Sequence, residues 1–527
     1  MRTLLMATAF GLTAGWAGAE TLTILHTNDF HSRIEPISKY DSGCSAADND
    51  AGECFGGSAR LITAVRAARA ASNNSILVDG GDQFQGSLFY TEYKGKAAAE
   101  MMTAIGYDAM TVGNHEFDDG PKVLRAFMEA VGFPVLLSNA DVSAEPELAD
   151  VLMPSTVIER AGEKVGLIGL TPEDTPDLAS PGPRIKFHDP VSAVKREVAR
   201  LEGEGVSRII VLSHSGYLVD QFVASRVDGI DVIVGGHSNT FLSNISDRAK
   251  GPYPTWVGTP NGGRTAVVQA YAFGKYLGKL DVTFDDNGIV TEAVGEPILI
   301  DGQVAEDSTL KTRIAELAKP FVELRNTVVA ETTTAIDGAK GDCRTGECMM
   351  GNLVADALLD RFKSQGVSIA IQNGGGLRAS INAGEITMGE VLTVLPFQNV
   401  ASTFDLKGSD VIAALEGGVS GIEESKGRFP QVAGLRYTFD PAKAPNEGRI
   451  TKVEVMQNGA WAAIDPAATY GVVSNNFLRS GGDGYAVFAD NAMNAYDFGP
   501  SVEDVVVDYL QANAPYTPYM DGRITSE

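Results

Sequence analysis

The chain has 527 residues, of which 44% are hydrophobic, and its 42 Lys and Arg against 68 Asp and Glu give a formal net charge of -26. That length suggests two to four domains rather than one core, and that charge speaks against nucleic acid polymers and anionic membranes as partners, since either would be repelled at long range. A negatively charged small substrate fits only where metals and a few arginines reverse the field locally.

The chain opens like an address. Met1-Arg2 supplies a positive start, Leu4 to Trp16 an apolar run, and Ala17-Gly18-Ala19 a small-x-small cleavage site before Glu20, so a signal peptide is expected over residues 1–19. The run is shorter than the ~20 residues a bilayer span needs. No later stretch is apolar enough to span, and the polar tail from Tyr516 to Glu527 gives no sign of a lipid anchor. Export to the periplasm or the exterior without a membrane anchor is the expectation.

Thr21 to His26 alternates as a strand does and ends in Thr27-Asn28-Asp29-Phe30-His31, polar groups at a C-terminal strand edge, where α/β sheets place their chemistry. A loop with Cys44 and Cys54 follows, then a helix from Gly57 to Ala71. Ser75 to Val78 is a buried strand running into Asp79-Gly80-Gly81-Asp82. Ala109 to Val112 runs into Gly113-Asn114-His115-Glu116-Phe117-Asp118. Strands at Lys164 to Leu170, Arg208 to Leu212 and Asp231 to Val234 follow, the last two opening into Ser213-His214-Ser215-Gly216 and Gly235-Gly236-His237-Ser238-Asn239. Helices at Pro121 to Val131 and Val191 to Glu204 lie between them, a layered α/β pattern. From Thr255 to Asp285 strands succeed one another, so part of the sheet should be mixed.

Asp307 to Val328 carries spaced Leu, Ile and Ala among charges, which fits an exposed helix joining two halves, residues 20–306 and 329–527. Beyond it come a helix from Met350 to Ser364, a strand from Val367 to Gln372 and a turn at Asn373-Gly374-Gly375-Gly376. No Gly-Lys-Ser/Thr follows, so this is no Walker loop; its glycines suit a tight backbone turn near a ligand. The four cysteines form two close pairs, Cys44 with Cys54 and Cys343 with Cys348. In an exported chain these read as two disulfides, because neither pair has the spacing or adjacent histidines of a structural zinc site.

The residues emerging at strand ends are Asp29, His31, Asp82, Asn114, His115, His214, His237 and Asn239, and they include four of the six histidines. Mixed nitrogen and oxygen donors of this kind fit zinc, manganese, cobalt or iron, with a carboxylate bridging two cations. Asp118, three residues after His115, is placed to hold that ring's tautomer and favour its protonated form.

Asp29-Phe30-His31, Gly81-Asp82, Gly113-Asn114-His115-Glu116, His214 and Gly236-His237-Ser238-Asn239 together resemble the ordered signature of the calcineurin-like metallophosphatases. With Asn373-Gly374-Gly375-Gly376-Leu377-Arg378 and Ser480-Gly481-Gly482-Asp483-Gly484-Tyr485, the chain resembles the 5'-nucleotidase family over nearly its whole mature length. The resemblance implies an N-terminal four-layer α/β/β/α domain joined by a helix to a C-terminal mixed α/β specificity domain. It implies two divalent metals, one on Asp29, His31 and Asp82 with Asn239 beside it, the other on Asp82, Asn114, His214 and His237. It also makes both cysteine pairs disulfides. Arg344 and Arg378 match phosphate contacts, Phe397 and Phe477 the rings that sandwich a nucleobase, and Asp483 a ribose-hydroxyl ligand; Asn373 falls in the substrate-binding turn. The implied activity is hydrolysis of nucleoside 5'-monophosphates to nucleoside and phosphate by in-line attack of water, with His115 and Asp118 catalytic. The same scaffold elsewhere cleaves UDP-sugars, or 2',3'-cyclic nucleotides and 3'-nucleotides. A non-catalytic nucleotide-binding surface protein would be expected to lack a metal ligand or the His115-Asp118 pair, and all are present. Metals in one half and base-reading groups in the other imply a substrate that bridges the halves, with closure about Asp307 to Val328.

Overall fold

The computed structural model describes residues 20–39, 44–397, 399–457, 459–496 and 500–527; the expected signal peptide, 1–19, lies outside them. In the first half the strands Glu20–Thr27, Ser75–Asp79, Ala109–Thr111 and Val135–Leu136 run parallel, and Tyr276–Phe284 and Val290–Gly295 extend the sheet antiparallel beyond Glu20–Thr27. A second sheet has Glu163–Leu170, Arg208–Ser213, Val232–Val234 and Arg264–Val268 parallel, flanked by the antiparallel strands Ser155–Arg160 and Thr255–Gly258.

The two-residue period of a strand decides the layers. Leu22 and Ile24 point with Val165, Leu167, Ile210 and Leu212 into a core between the two sheets. Leu25 faces the other way, onto the helices Ser58–Ala70, Lys96–Ile105 and Pro121–Ala130. Ile209 and Val211 face Pro190–Gly203 and Tyr217–Ala224 across the second sheet. The order is helix, sheet, sheet, helix, as the resemblance implies. Because the central strands of both sheets are parallel, their C-terminal ends share one edge, and every loop singled out in this half leaves from it.

In the second half a five-stranded sheet, ordered Pro430–Ala433, Val367–Asn373, Thr469–Asn475, Ala401–Lys407 and Met493–Tyr496, packs Met349–Phe362 and Val502–Ala512 on one face. Its other face packs Gly408–Gly418 and a four-stranded sheet. Both halves are mixed α/β. Both disulfides are present, Cys44 with Cys54 and Cys343 with Cys348.

One expectation needs correcting. The joining segment is not a single exposed helix: Ser308–Ala318, a turn over Lys319–Phe321 and Val322–Asn326 follow one another. Leu310, Ile314, Leu317 and Phe321 are buried in the helical face of the first half. Their spacing of three to four residues lays them on one side of the helix, and Asp307 caps it by accepting from Leu310 N at 2.9 Å.

Candidate active site

The loops at the shared edge are zipped together by their backbones. Asp29 N donates to Gly81 O and His31 N to Asp82 O, each at 2.9 Å. Asp29, His31, Asp82, His237 and Asn239 all adopt left-handed backbone, with φ of 50°, 50°, 61°, 68° and 52°. For residues with a Cβ this is costly, and its clustering at strand ends marks a functional site. Gly113 is required because a Cβ there would collide with Asp82 Oδ1.

Beneath these loops sits a group that reasoning from the sequence did not single out. Glu116, fully buried, accepts four backbone N–H groups: Asp82 at 3.0 Å and Gly113 at 2.6 Å on one oxygen, Gln83 at 2.8 Å and Phe84 at 3.1 Å on the other. It ties the Asp82 loop to the Asn114 loop. Burial pushes its carboxyl up to about 7, while the N–H donors pull it down.

Two ligand clusters share Asp82: Asp29, His31 and Asp82, and Asp82, His214 and His237. His31 Nε2 lies 4.0 Å from Asp29 Oδ1 and 3.8 Å from Asp82 Oδ2; His214 Nε2 lies 2.9 Å from Asp82 Oδ2 and 4.0 Å from Asp29 Oδ1. The tautomers follow from the far side of each ring. His31 Nδ1 donates to Phe84 O at 3.0 Å and His214 Nδ1 to Gly80 O at 2.6 Å, so each Nε2 turns a lone pair toward the carboxylates, the orientation a metal-binding imidazole needs. Asn114 Oδ1 is 3.0 Å from His237 Nδ1. Buried His214 Nε2 and Asn239 Oδ1 have no hydrogen-bond partner, and such atoms are costly unless a ligand satisfies them. Burial raises the Asp29 carboxyl, and Asp82 adds to the rise. Lone pairs, orphaned acceptors and packed carboxylates fit two divalent cations.

His115 belongs to neither cluster. Its backbone N–H donates to Asp82 Oδ1 at 2.9 Å, and its Nδ1 donates to Asp118 Oδ2 at 2.7 Å. Burial works against protonating the ring, but Asp118 and then Asp82 outweigh it and raise its pKa. The ring stands edge-on to His31 at 5.3 Å and stacks on Phe397 at 5.7 Å.

The second half closes the site with cations. Arg378 Nη2 donates to His31 Nε2 at 2.9 Å, and its guanidinium lies 5.7 Å from the Phe397 ring centre. Arg344, on the loop closed by the Cys343–Cys348 disulfide, is buried with no partner for Nε. Burial and then Arg378 push its pKa down to about 9. Lys340, which no sequence pattern marked, donates from Nζ to His237 O at 2.8 Å across the two halves.

The glycines of the 374–376 turn serve close approach rather than left-handed backbone. A Cβ on Gly374 would collide with Cys343 O, and one on Gly375 would lie 2.8 Å from Gly427 Cα. Asn373 Nδ2 donates to Asp483 Oδ2 at 2.6 Å. Asn475, also missed, holds that amide by donating from Nδ2 to Asn373 Oδ1 and Gln372 Oε1, both at 3.0 Å. Phe477 packs over Gly482, where a Cβ would strike the ring.

One cleft of about 430 Å³ is lined from one side by Asp29, His31, Asp82, Asn114, His115, Asp118 and His237 and from the other by Arg344, Asn373, Arg378, Phe397, Phe477 and Asp483. His214, fully buried, and Asn239 stand behind this lining. Thirteen of the fifteen catalytic, metal-binding and substrate-binding residues expected from the sequence thus line one cleft.

Known proteins match the chain in two parts. A family described as calcineurin-like phosphoesterase matches residues 22–241, and one described as 5'-nucleotidase, C-terminal domain, matches residues 328–490. The chain is 38% identical to a 5'-nucleotidase of Homo sapiens over 532 residues, covering 96% of this chain and 91% of that one. It is 36% identical to a snake venom 5'-nucleotidase of Naja atra over 529 residues, covering 96% and 99%. The structure of a 5'-nucleotidase precursor from Thermus thermophilus superposes with a TM-score of 0.92 at 40% identity, over 96% of this chain and 99% of that one.

Proposed function

The chain belongs to the 5'-nucleotidase family, and from that premise we propose that this metal-dependent hydrolase cleaves nucleoside 5'-monophosphates to nucleoside and phosphate by in-line attack of water on phosphorus. The observation that carries this reading is the cleft in which two clusters of metal-ligating side chains sharing Asp82 face two arginines, two phenylalanines and an Asp-Asn pair. Asp29, His31 and Asp82, with Asn239 beside them, would hold one metal; Asp82, Asn114, His214 and His237 would hold the other. Bound there, two divalent ions supply Lewis-acid neutralisation of phosphoryl charge and make water more acidic.

The protein's own groups do the rest. Arg344 and Arg378 take the phosphoryl oxygens with guanidinium forks suited to them. The new bond joins water oxygen to phosphorus, and the bond to the ribose 5'-oxygen breaks. His115, with Nδ1–H directed at Asp118, holds a proton on Nε2 and delivers it to the leaving alkoxide. Phe397 and Phe477 bracket the base. Asp483, held by Asn373, accepts from the ribose hydroxyls. Residues 1–19 direct export to the periplasm or exterior; two disulfides support an oxidising destination, and no described helix is long and apolar enough to cross a membrane.

The test is product release from AMP, ADP, UDP-glucose, 3'-AMP and 2',3'-cyclic AMP, before and after a chelator and again with manganese, cobalt or zinc restored. Chelator-sensitive turnover strongest on AMP is expected. Strongest turnover on UDP-glucose or the cyclic nucleotide would move the scissile bond and overturn the monophosphate assignment; no turnover with any metal would overturn catalysis.

A further inference from the structure

A second cavity, of about 1070 Å³ against about 430 Å³ for the substrate cleft, lies against the metal centre, and most of its lining has no part in the hydrolysis described above. The two cavities share six lining residues, Asp174, His237, Lys340, Arg344, Arg378 and Lys426, and the larger one also reaches Asn239. Phe397, Phe477, Asp483, Asp118 and Asp119 line the cleft alone. The larger cavity therefore touches the phosphate end of the site but neither of the two rings nor Asp483.

Its charge runs against that of the molecule. Eight lysines and arginines line it against four carboxylates, in a chain whose net charge is -26. Of these carboxylates Glu423 pairs with Arg449, which is outside the lining, while Asp174 and Glu424 pair with Lys426, one of the eight cations, at 3.6 and 3.2 Å. Lys340 Nζ is held by a neutral carbonyl, and the buried Arg344 Nε has no partner. A fixed surplus of cations with an unsatisfied guanidinium donor at the junction is an environment for a small oxyanion, whose several oxygens accept charge-assisted hydrogen bonds in many directions. The cleft offers such an ion a poorer way out, because six carboxylates line it against five lysines and arginines.

We propose that this cavity is a binding site for inorganic phosphate, which passes into it from the metal centre across Lys340 and Arg344 while the nucleoside leaves through the cleft. The proposal rests on the reading of the chain as a phosphate-releasing nucleotidase. Arg248 and Lys250 line the cavity, are exposed, and lie outside the machinery assigned above.

The test uses the metal-loaded protein and the double variant Arg248→Gln, Lys250→Gln. Calorimetric titration with inorganic phosphate should find two sites in the parent and one in the variant. With AMP as substrate, phosphate should inhibit the parent by a mixed pattern and the variant competitively, while initial turnover without added phosphate stays the same. One phosphate site in both proteins, or mixed inhibition unaltered in the variant, would overturn the proposal. A parent that fails to hydrolyse AMP would overturn the nucleotidase reading instead, and the calorimetric count of sites would still decide for or against the cavity.

Discussion

Glu116 makes the sharpest demand on the physical account of the metal centre. Its two oxygens each accept two backbone N–H groups, at 2.6 to 3.1 Å, in a side chain sealed from solvent. Glu116→Gln keeps the shape and replaces one oxygen with an NH₂ that cannot accept. Whichever way the amide turns, two of the four N–H donors face another donor. At about 1–3 kcal/mol for each buried unsatisfied group, the cost is roughly 2–6 kcal/mol, a large part of the 5–15 kcal/mol typical of a whole domain. In one orientation the unmatched donors are Asp82 N and Gly113 N, in the other Gln83 N and Phe84 N, so either way the strain falls on the loop that carries the shared carboxylate. Metal affinity should drop by about 10- to 100-fold, as when supporting partners of metal ligands are removed. Urea unfolding gives the stability, and competition with a chromogenic zinc chelator gives the affinity. A variant with parental stability and parental affinity would refute the claim that Glu116 builds the site.

Three other outcomes are expected. His115→Ala should bind metal as the parent does and lose about 100- to 10,000-fold in kcat; an AMP hydrolysis assay beside a metal titration checks both halves of that statement. Phe477→Ala should raise KM for AMP by roughly 5- to 150-fold, the equivalent of about 1–3 kcal/mol per stacked ring, and leave turnover of p-nitrophenyl phosphate unchanged; equal losses on both would show the ring to be structural. Asp231 is half-buried, accepts from Ile209 N at 2.7 Å, and has its carboxyl raised to about 8 by loss of solvent, against the pull of that bond and of Arg208. A raised carboxyl contributes stability that is complete below the unfolded value, near 3.8, and is lost as pH rises through about 8. Asp231→Asn should therefore flatten the fall in stability between about pH 5 and 8 in parallel urea titrations, and an unchanged slope would show that the group ionises normally.

The layered fold and most of the site were legible because both are written in local pattern. Alternation in Thr21 to His26 and the polar stops at Asp29, Asp82, His214 and His237 need only the period of a strand and the rule that α/β chemistry leaves C-terminal edges. Glu116 escaped because its role depends on N–H groups from Asp82, Gln83 and Phe84, some 30 residues earlier in the chain. Lys340 escaped for a similar reason: its partner His237 lies in the other half, and a lysine opening the four-residue helix Lys340–Cys343 has no period to betray it. The apolar spacing of Leu310, Ile314, Leu317 and Phe321 was visible, but the surface it packs on was not. Phe397 was assigned to the base, and the structure adds that its ring also stacks on His115.

That helix also fixes where the molecule can be cut. Phe321 is part of the core of the first half, whereas the next segment, Val322–Asn326, packs on the Met388–Val394 helix, and Met388 N donates to Thr327 O at 2.9 Å. The chain changes allegiance across the single peptide bond between Phe321 and Val322. An expression fragment ending at residue 306 would strip a ready-made apolar stripe from its own surface, while one ending at Phe321 keeps it.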